Sequence, residues 1–508
     1  MAANLISGLL YPLTQIGFDN SQAGVNQQTY PTMLIAQTIT AAPNALTPVT
    51  SVAQARALYG RGSRLARMFE AYFNNDSTGP IYCLPRTDAS GASAATGTFA
   101  FSGTATASGT VFAYIGGQLV QVGVTTGMTA SQVASAMVAQ IALQPDLLVS
   151  AATGGTGGVN CVVTAKNLGT LGNAIDLRLN YLGAAGGQAL PAGLAVTITA
   201  MTGGATDPVY TDVAGILGDT NMYFIVHDNA SSAVMTAMTA MMNFTTGRWA
   251  PNRKTWGHVF TALPGLAATL STFGQGYNDP HTTVWGYETG SPTPSCEWAG
   301  AFTGAAAVSL RNQPNQPLQT LNVNFVSPPP VGLAEASGGA FSKTSWQLLL
   351  GSGIALAQYA AGNMPQILRA PTTYETNAYG QPDQSYFDTG DMFTLMFIGN
   401  ALNAMETQKW GRNMVADDGN AFGPGLPIVT PKSALSDLAA LYATLEYEGL
   451  VEDASAMLAA SSVVRNATNP NELDVLYAPF VVVGLINVNN TVQFRKYSAA
   501  AAAAIAAA

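Results

Sequence analysis

Charge is what this 508-residue chain has least of. It holds 19 Lys and Arg and 28 Asp and Glu, so 9% of positions are charged, against roughly a quarter in an average soluble domain. With so few cations and a net charge of -9, it lacks the clustered Lys and Arg that displace counterions from nucleic-acid phosphates, so no direct nucleic-acid binding is expected. No run approaches the ~18 uninterrupted apolar residues of a membrane helix, and the Ala run at 499–508 is too short to span. The opening Met1-Ala2-Ala3-Asn4-Leu5 has no basic stretch leading into an apolar core, so no secretory signal is expected. Cysteines are few, odd in number and far apart (Cys83, Cys161, Cys296), which fits buried thiols in a reducing compartment. What is abundant is apolar and small: 48% hydrophobic residues and 52 glycines. Charge keeps solvated surfaces apart, so a surface this neutral is expected to be covered largely by other chains.

Four regimes follow one another along the chain. Residues 1–30 are polar and turn-rich with a short alternation at Leu9, Tyr11 and Leu13. Residues 31–90 read strand, helix, helix, strand, with Ser51 and Ser63 as N-cap residues and apolar runs at Met33–Ala36 and Pro80–Leu84. Residues 91–206 shift to Gly, Ala, Ser and Thr with short strand patterns and one helical window at 129–143, the text of an inserted β-rich module. The strand–helix alternation resumes from 207 to about 335, which predicts a parallel, doubly covered sheet shared with 31–90. Ser327-Pro328-Pro329-Pro330 reads as a hinge into a final domain at 336–485. There Asp388 or Thr389 is expected to cap a helix through Glu406, and Thr430-Pro431 starts another with Leu435, Leu438, Leu441, Tyr442 and Leu445 on one stripe. The end, 486–508, alternates at Ile486, Val488, Val492 and Phe494 before the Ala run. The expected class is multi-domain α/β with a β-rich insertion and an α+β C-terminal domain.

Motifs that carry chemistry are scarce. His227, His258 and His281 stand at no metal-ligand spacing to each other or to a cysteine, and no metal or cofactor is expected. His227-Asp228 closes an expected strand, where an α/β fold can place catalysis, but a strand-end histidine with a backbone partner is the plainer reading. No Gly-x-Ser-x-Gly elbow occurs. The glycines at 154–158 lack the Lys-Ser/Thr of a phosphate loop, and Asp417-Asp418-Gly419-Asn420 lacks the alternate-position oxygens of a calcium loop. Met235, Met238, Met241 and Met242 are helically spaced and read as core filling. From the residues alone, an α/β hydrolytic enzyme with a β-rich insert and a capsid-like shell protein stay open beside an assembling structural protein.

Ordered sequence pieces then narrow the choice. Phe18–Ala23 with Met33–Gln37, Phe101–Ala105 and Gly172–Arg178 in the insert, and a dense set in the last third (416–419, 422–425, Val429–Lys432, Gly449–Asp453 and Asn469–Leu476) resemble the contractile-tail sheath proteins of the Mu-like phage group. The resemblance implies a non-enzymatic structural subunit of the virion tail, assembled in the bacterial host cytoplasm as stacked, hexameric sheath rings. Its implied partners are further copies of the chain, a tail tube protein, and baseplate and tail-terminator proteins, with no membrane embedding. It also implies that residues 1–30 and 486–508 are arms adding strands to the C-terminal domain sheet of neighbours. Leu9, Tyr11, Leu13, Val492 and Phe494 are then the inter-subunit strand residues, and Gly8, Gly17, Asn489 and Asn490 the arm hinges. The insert is expected outside and the C-terminal domain inside, with Lys409, Arg412 and Lys432 as tube-facing candidates.

Overall fold

The computed structural model describes residues 30–326, 339–423, 425–494 and 504–507. Leu9, Tyr11, Leu13, Gly8, Gly17 and the Ser327–Pro330 hinge lie outside the described residues. The chain divides into two compact units, one of residues 1–264, 287–308 and 323–340, the other of 265–286, 309–322 and 341–508.

The first unit is built on parallel strands. Thr32–Gln37 lies between Ile81–Arg86 and Phe224–His227, with Leu34 level with both Cys83 and Val226. His258–Pro264 continues the sheet beyond Phe224–His227, and the two-residue strand Thr47–Pro48 closes the far edge antiparallel. Every residue of Thr32–Gln37 is buried, as expected of a strand covered on both faces. The return from Gln37 to Ile81 uses helices Val52–Tyr59 and Arg64–Phe73, each started by a serine whose hydroxyl accepts a backbone N–H of the first turn. Met238, Met241 and Met242 of helix Ser232–Met242 fill the core against Met33, Ile225 and Val259.

Between 96 and 202 the chain forms a separate antiparallel module. One sheet runs in the order Leu194–Thr202, Thr96–Gly103, Asn160–Ala165, Val149–Gly154; a second joins Gln118–Val124, Gly109–Ile115 and Leu177–Leu179. Helix Ala130–Ala142 forms in the 129–143 window and buries Val133, Met137 and Ile141 in a core with Phe99, Phe101, Val111 and Cys161. Alternation of half-buried and buried residues along Asn160–Ala165 is the period-2 signature that the sequence carried.

In the second unit, Thr282–Tyr287 pairs in parallel with Ile354–Ala360, and Met364–Arg369 returns antiparallel. Helix Thr389–Lys409 follows, running three residues past the expected Glu406. Helix Pro431–Tyr447 begins with Thr430 and Ser433 bonding reciprocally to each other's backbone N–H. It buries Ala434, Leu438, Tyr442 and Leu445, while Leu435 and Leu441 flank that stripe.

Several charges of the first unit are turned inward. Arg64 Nε lies 2.5 Å from Asp228 Oδ2, its Nη2 donates to Ser295 Oγ at 2.8 Å, and Arg67 pairs with Glu297 at 2.9 Å. A pair this dry is fixed by geometry, because either ion left alone stays desolvated. Replacing Arg64 by Ala should therefore cost ~3–5 kcal/mol in urea unfolding, and Arg64→Met combined with Asp228→Leu should recover most of it. A loss below about 1 kcal/mol for Arg64→Ala would show that the pair is not what fixes this region.

Candidate assembly surface

Residues 480–485 are hydrogen-bonded within the second unit. Glu452 N donates to the Phe480 carbonyl at 2.8 Å and Val482 N to that of Leu450 at 3.1 Å, so Val481 bridges Val451 like one rung of a sheet. Tyr442 supports this rung from below, its hydroxyl bonding the Glu452 carbonyl and accepting from Phe480 N at 3.3 Å. Asn315 Nδ2 reaches the Gly449 and Val482 carbonyls, and Gln319 Nε2 the Leu485 carbonyl at 3.0 Å. Gly484 is required here: a Cβ would lie 2.6 Å from the Pro317 ring. From Ile486 to Phe494 no secondary structure forms. Val488, Val492 and Phe494 are 60%, 84% and 80% exposed. Leaving such side chains in water is costly, at ~1.5–3 kcal/mol for each that could be buried.

Close by in sequence is a sheet too small to stand alone. Ser462–Arg465 pairs antiparallel with Leu473–Leu476, Val463 level with Val475. Val463, Leu473 and Val475 face the Ala434–Leu438 stretch of helix Pro431–Tyr447, whereas Val464 and Leu476 are more than half exposed on the outer face. Two-stranded sheets are marginal in water and offer unpaired N–H and C=O groups at their edges.

The expected cations sit at the meeting of two helices. Lys409 Nζ is 2.6 Å from Asp437 Oδ1, and Trp410 Nε1 donates to Oδ2 of the same carboxylate at 2.9 Å. Arg412 is exposed in the turn that follows, and Lys432 is exposed in the first turn of helix Pro431–Tyr447, its N–H on Asp418. Asn489 and Asn490 are exposed within the segment that lacks secondary structure. At the strand end in the first unit, His227 is fully buried, and burial pushes its imidazole down to about 4. Among the described residues, no group of three or more His, Cys, Asp or Glu is placed to hold a metal, and no helix is long and apolar enough to cross a membrane.

No family model matches the chain. A full-length relative does: the Mu-like prophage FluMu tail sheath protein of Haemophilus influenzae is 33% identical over 500 residues, 97% of each chain. The chain belongs to the Mu-like phage tail sheath protein family. Solved sheath structures are more distant. The sheath tail protein of Desulfitobacterium hafniense is 10% identical over 92% of this chain and 100% of that one, with a TM-score of 0.46. The helical sheath of the anti-feeding prophage in its contracted state is 11% identical over 96% and 99%, again with a TM-score of 0.46. Family membership rests on the full-length sequence relative.

In this sheath protein, sequence reading singled out the apolar residues from Ile486 to Phe494 but missed the contacts that hold the segment before them. Asn315, Gln319, Tyr442 and Gly484 act over long sequence separations, and only Gly484, a lone glycine between apolar neighbours, left a local sign. The same cleft, lined by Arg369, Asp388, Asp391, Gly484 and Ile486, holds a carboxyl of unusual acidity. Burial pushes Asp391 up to about 6, and repulsion from Asp388 adds to it. In the unfolded chain the group titrates near 3.9, so between ~4 and 6 the folded state binds more protons and stability falls as pH rises. Asp391→Asn should match the parent protein at pH 4 and exceed its stability at pH 7, by on the order of 1 kcal/mol. Equal stability at both pH values would contradict this environment for Asp391.

Proposed function

We propose that this chain polymerises as stacked six-membered rings into a helical sheath around a tail tube, and that the sheath shortens to drive the tube through the host envelope for genome ejection. The observation that carries the reading is the C-terminal end: bonded to its own unit through Leu485, then alternating apolar side chains offered to solvent. Such a strand is complete only on another sheet. Added to the edge of Ser462–Arg465 or Leu473–Leu476 in a neighbour, it gains main-chain hydrogen bonds of ~0.5–1.5 kcal/mol each and pockets for alternate side chains. Leu9, Tyr11 and Leu13 serve in the same way from the other end, with Gly8, Gly17, Asn489 and Asn490 taking up the bending.

In this reading the C-terminal domain faces the tube, the 91–206 insert faces outward, and baseplate and terminator proteins cap the two ends. The particle is a virion tail built in the host cytoplasm. Work comes from repacking subunit faces between two discrete arrangements rather than from an enzymatic step. The engagement of Asp228 by Arg64, at the strand end where an α/β enzyme would place chemistry, supports this.

Truncating residues 1–14, or everything after Asn490, should give subunits with unchanged unfolding curves that form no sheaths under the electron microscope. Normal tubes from both truncations would overturn the arm assignment. Reversing charge at Lys409, Arg412 and Lys432 should weaken co-assembly with tube protein at low salt and much less at high salt. Unchanged co-assembly would make these three ordinary solvated cations.

A further inference from the structure

The carboxyl end of the parallel sheet carries hydrogen-bonding capacity that the first unit's own groups do not meet. Open parallel sheets keep a crevice outside this end, where the strand order reverses. Here that point lies between Thr32–Gln37 and Phe224–His227. Gln37 is level with Arg86 and Ile35 with His227, so strand alternation puts Gln37, Arg86 and His227 on one face. The residues two places before them, Ile35, Leu84 and Ile225, share one core cluster on that face. Asn229 follows at the end of the His227 strand. Gln37, Arg86, His227 and Asn229 are 1%, 5%, 0% and 1% exposed. Tyr210 packs against them, its ring centroid 5.4 Å from the Arg86 guanidinium and 6.1 Å from that of the His227 ring.

The bonds already made fix which atoms remain. Gln37 Nε2 donates to Asp88 Oδ1 at 2.8 Å and to the Leu168 carbonyl at 2.6 Å. That settles the orientation of the amide and leaves Oε1 as a buried acceptor with no partner. Arg86 gives its two terminal nitrogens to Asp212 at 2.9 and 2.8 Å, while its Nε–H is buried and unbonded. Asn229 Oδ1 accepts from Ser231 N at 2.9 Å, so its Nδ2 is the group left over. The Asn229 main chain lies beside His227, yet neither ring nitrogen meets hydrogen-bond geometry. Burial keeps this imidazole neutral, with one N–H to donate and one nitrogen to accept. Buried polar groups are rarely left unmet, and where protein does not supply the partner, ordered water does.

The mixture of atoms narrows what can bind. An anion needs donors and unbalanced positive charge, but Asp212 already balances Arg86 and Gln37 presents an oxygen. A metal cation would meet the Arg86 guanidinium. A small neutral molecule that donates and accepts at once fits all of these groups, and their burial leaves room for little more than water. We propose that this crevice is a buried hydration site, in which about two ordered waters join Gln37 Oε1, Arg86 Nε, Asn229 Nδ2 and the His227 ring into one network. Water then links the ends of three neighbouring strands whose side chains do not bond one another directly.

A crystal or electron cryomicroscopy map of the full-length protein, fine enough to show waters, tests the site. Round peaks should stand ~2.7–3.2 Å from Gln37 Oε1 and from Arg86 Nε, at least one of them also within that reach of His227. Bare atoms here, in a map that shows waters elsewhere in the core, would overturn the proposal. Density too large for water would overturn it as well, by making this a site for a different ligand. His227→Phe keeps a ring in the same space without its nitrogens. It should lose the peak beside the ring while Gln37 stays bonded to Asp88 and Leu168. Every peak retained in that variant would overturn the shared network. Should His227→Phe not fold, the map of the parent protein decides alone.

Discussion

A charge taken out of water needs an opposite charge or fixed hydrogen-bond acceptors in good geometry, and the first unit meets this constraint chiefly with buried ion pairs, with Arg248 held by the Gly218 and Thr220 carbonyls instead. Arg64, Arg67 and Arg86 are each 5% exposed or less, and each faces a carboxylate: Asp228, Glu297 and Asp212. Arg56 and Arg61 converge on Asp146 at the joint with the insert. A chain with only 19 cations that places several of them inside has few left for its surface. The inner pairs fix registry where the fold must not change. In the proposed sheath a surface with so few charged groups can separate and dock again with few desolvated ions left stranded. Both properties suit a subunit that must hold its own shape while the lattice around it changes.

The second requirement of such a lattice is connection that survives movement. In the proposed assembly strand addition supplies it, because the anchoring hydrogen bonds run between main chains and tolerate bending in the linker beside them. The C-terminal end has this division built in. Through Leu485 it is tied to Asn315, Gln319, Leu450 and Glu452; beyond that, Val488, Val492 and Phe494 stand in solvent. The small Ser462–Arg465 and Leu473–Leu476 sheet has two edges unpaired among the described residues, over a sound apolar base.

Local features were legible in the sequence because their causes are local. Ser51, Ser63 and Thr430-Pro431 announce helices through hydrogen bonds within one turn, and all three do cap. Apolar runs such as Met33–Ala36 became buried parallel strands, and the composition shift after residue 90 marked the antiparallel module. The joints were not legible. Arg64 meets Asp228 across 164 residues and Asn167 across 103, and no period or spacing records such a pair. An asparagine in a Lys-Asn-Leu-Gly turn looks like any turn asparagine until the helix it caps is folded against it. The same holds for the arm: its alternation was visible, but Gln319 and Asn315, which hold its root, lie some 166 residues away.

The account stands or falls on whether this chain, by itself, builds a helix of subunits. Electron microscopy of the purified full-length protein at rising concentration is the direct measurement. The account predicts hollow tubes of constant diameter with helical order in their diffraction, because heterologous contacts close into rings around the axis while the contacts between successive rings stay open and keep adding subunits. Closed icosahedral particles, or monomers at every concentration, would contradict it.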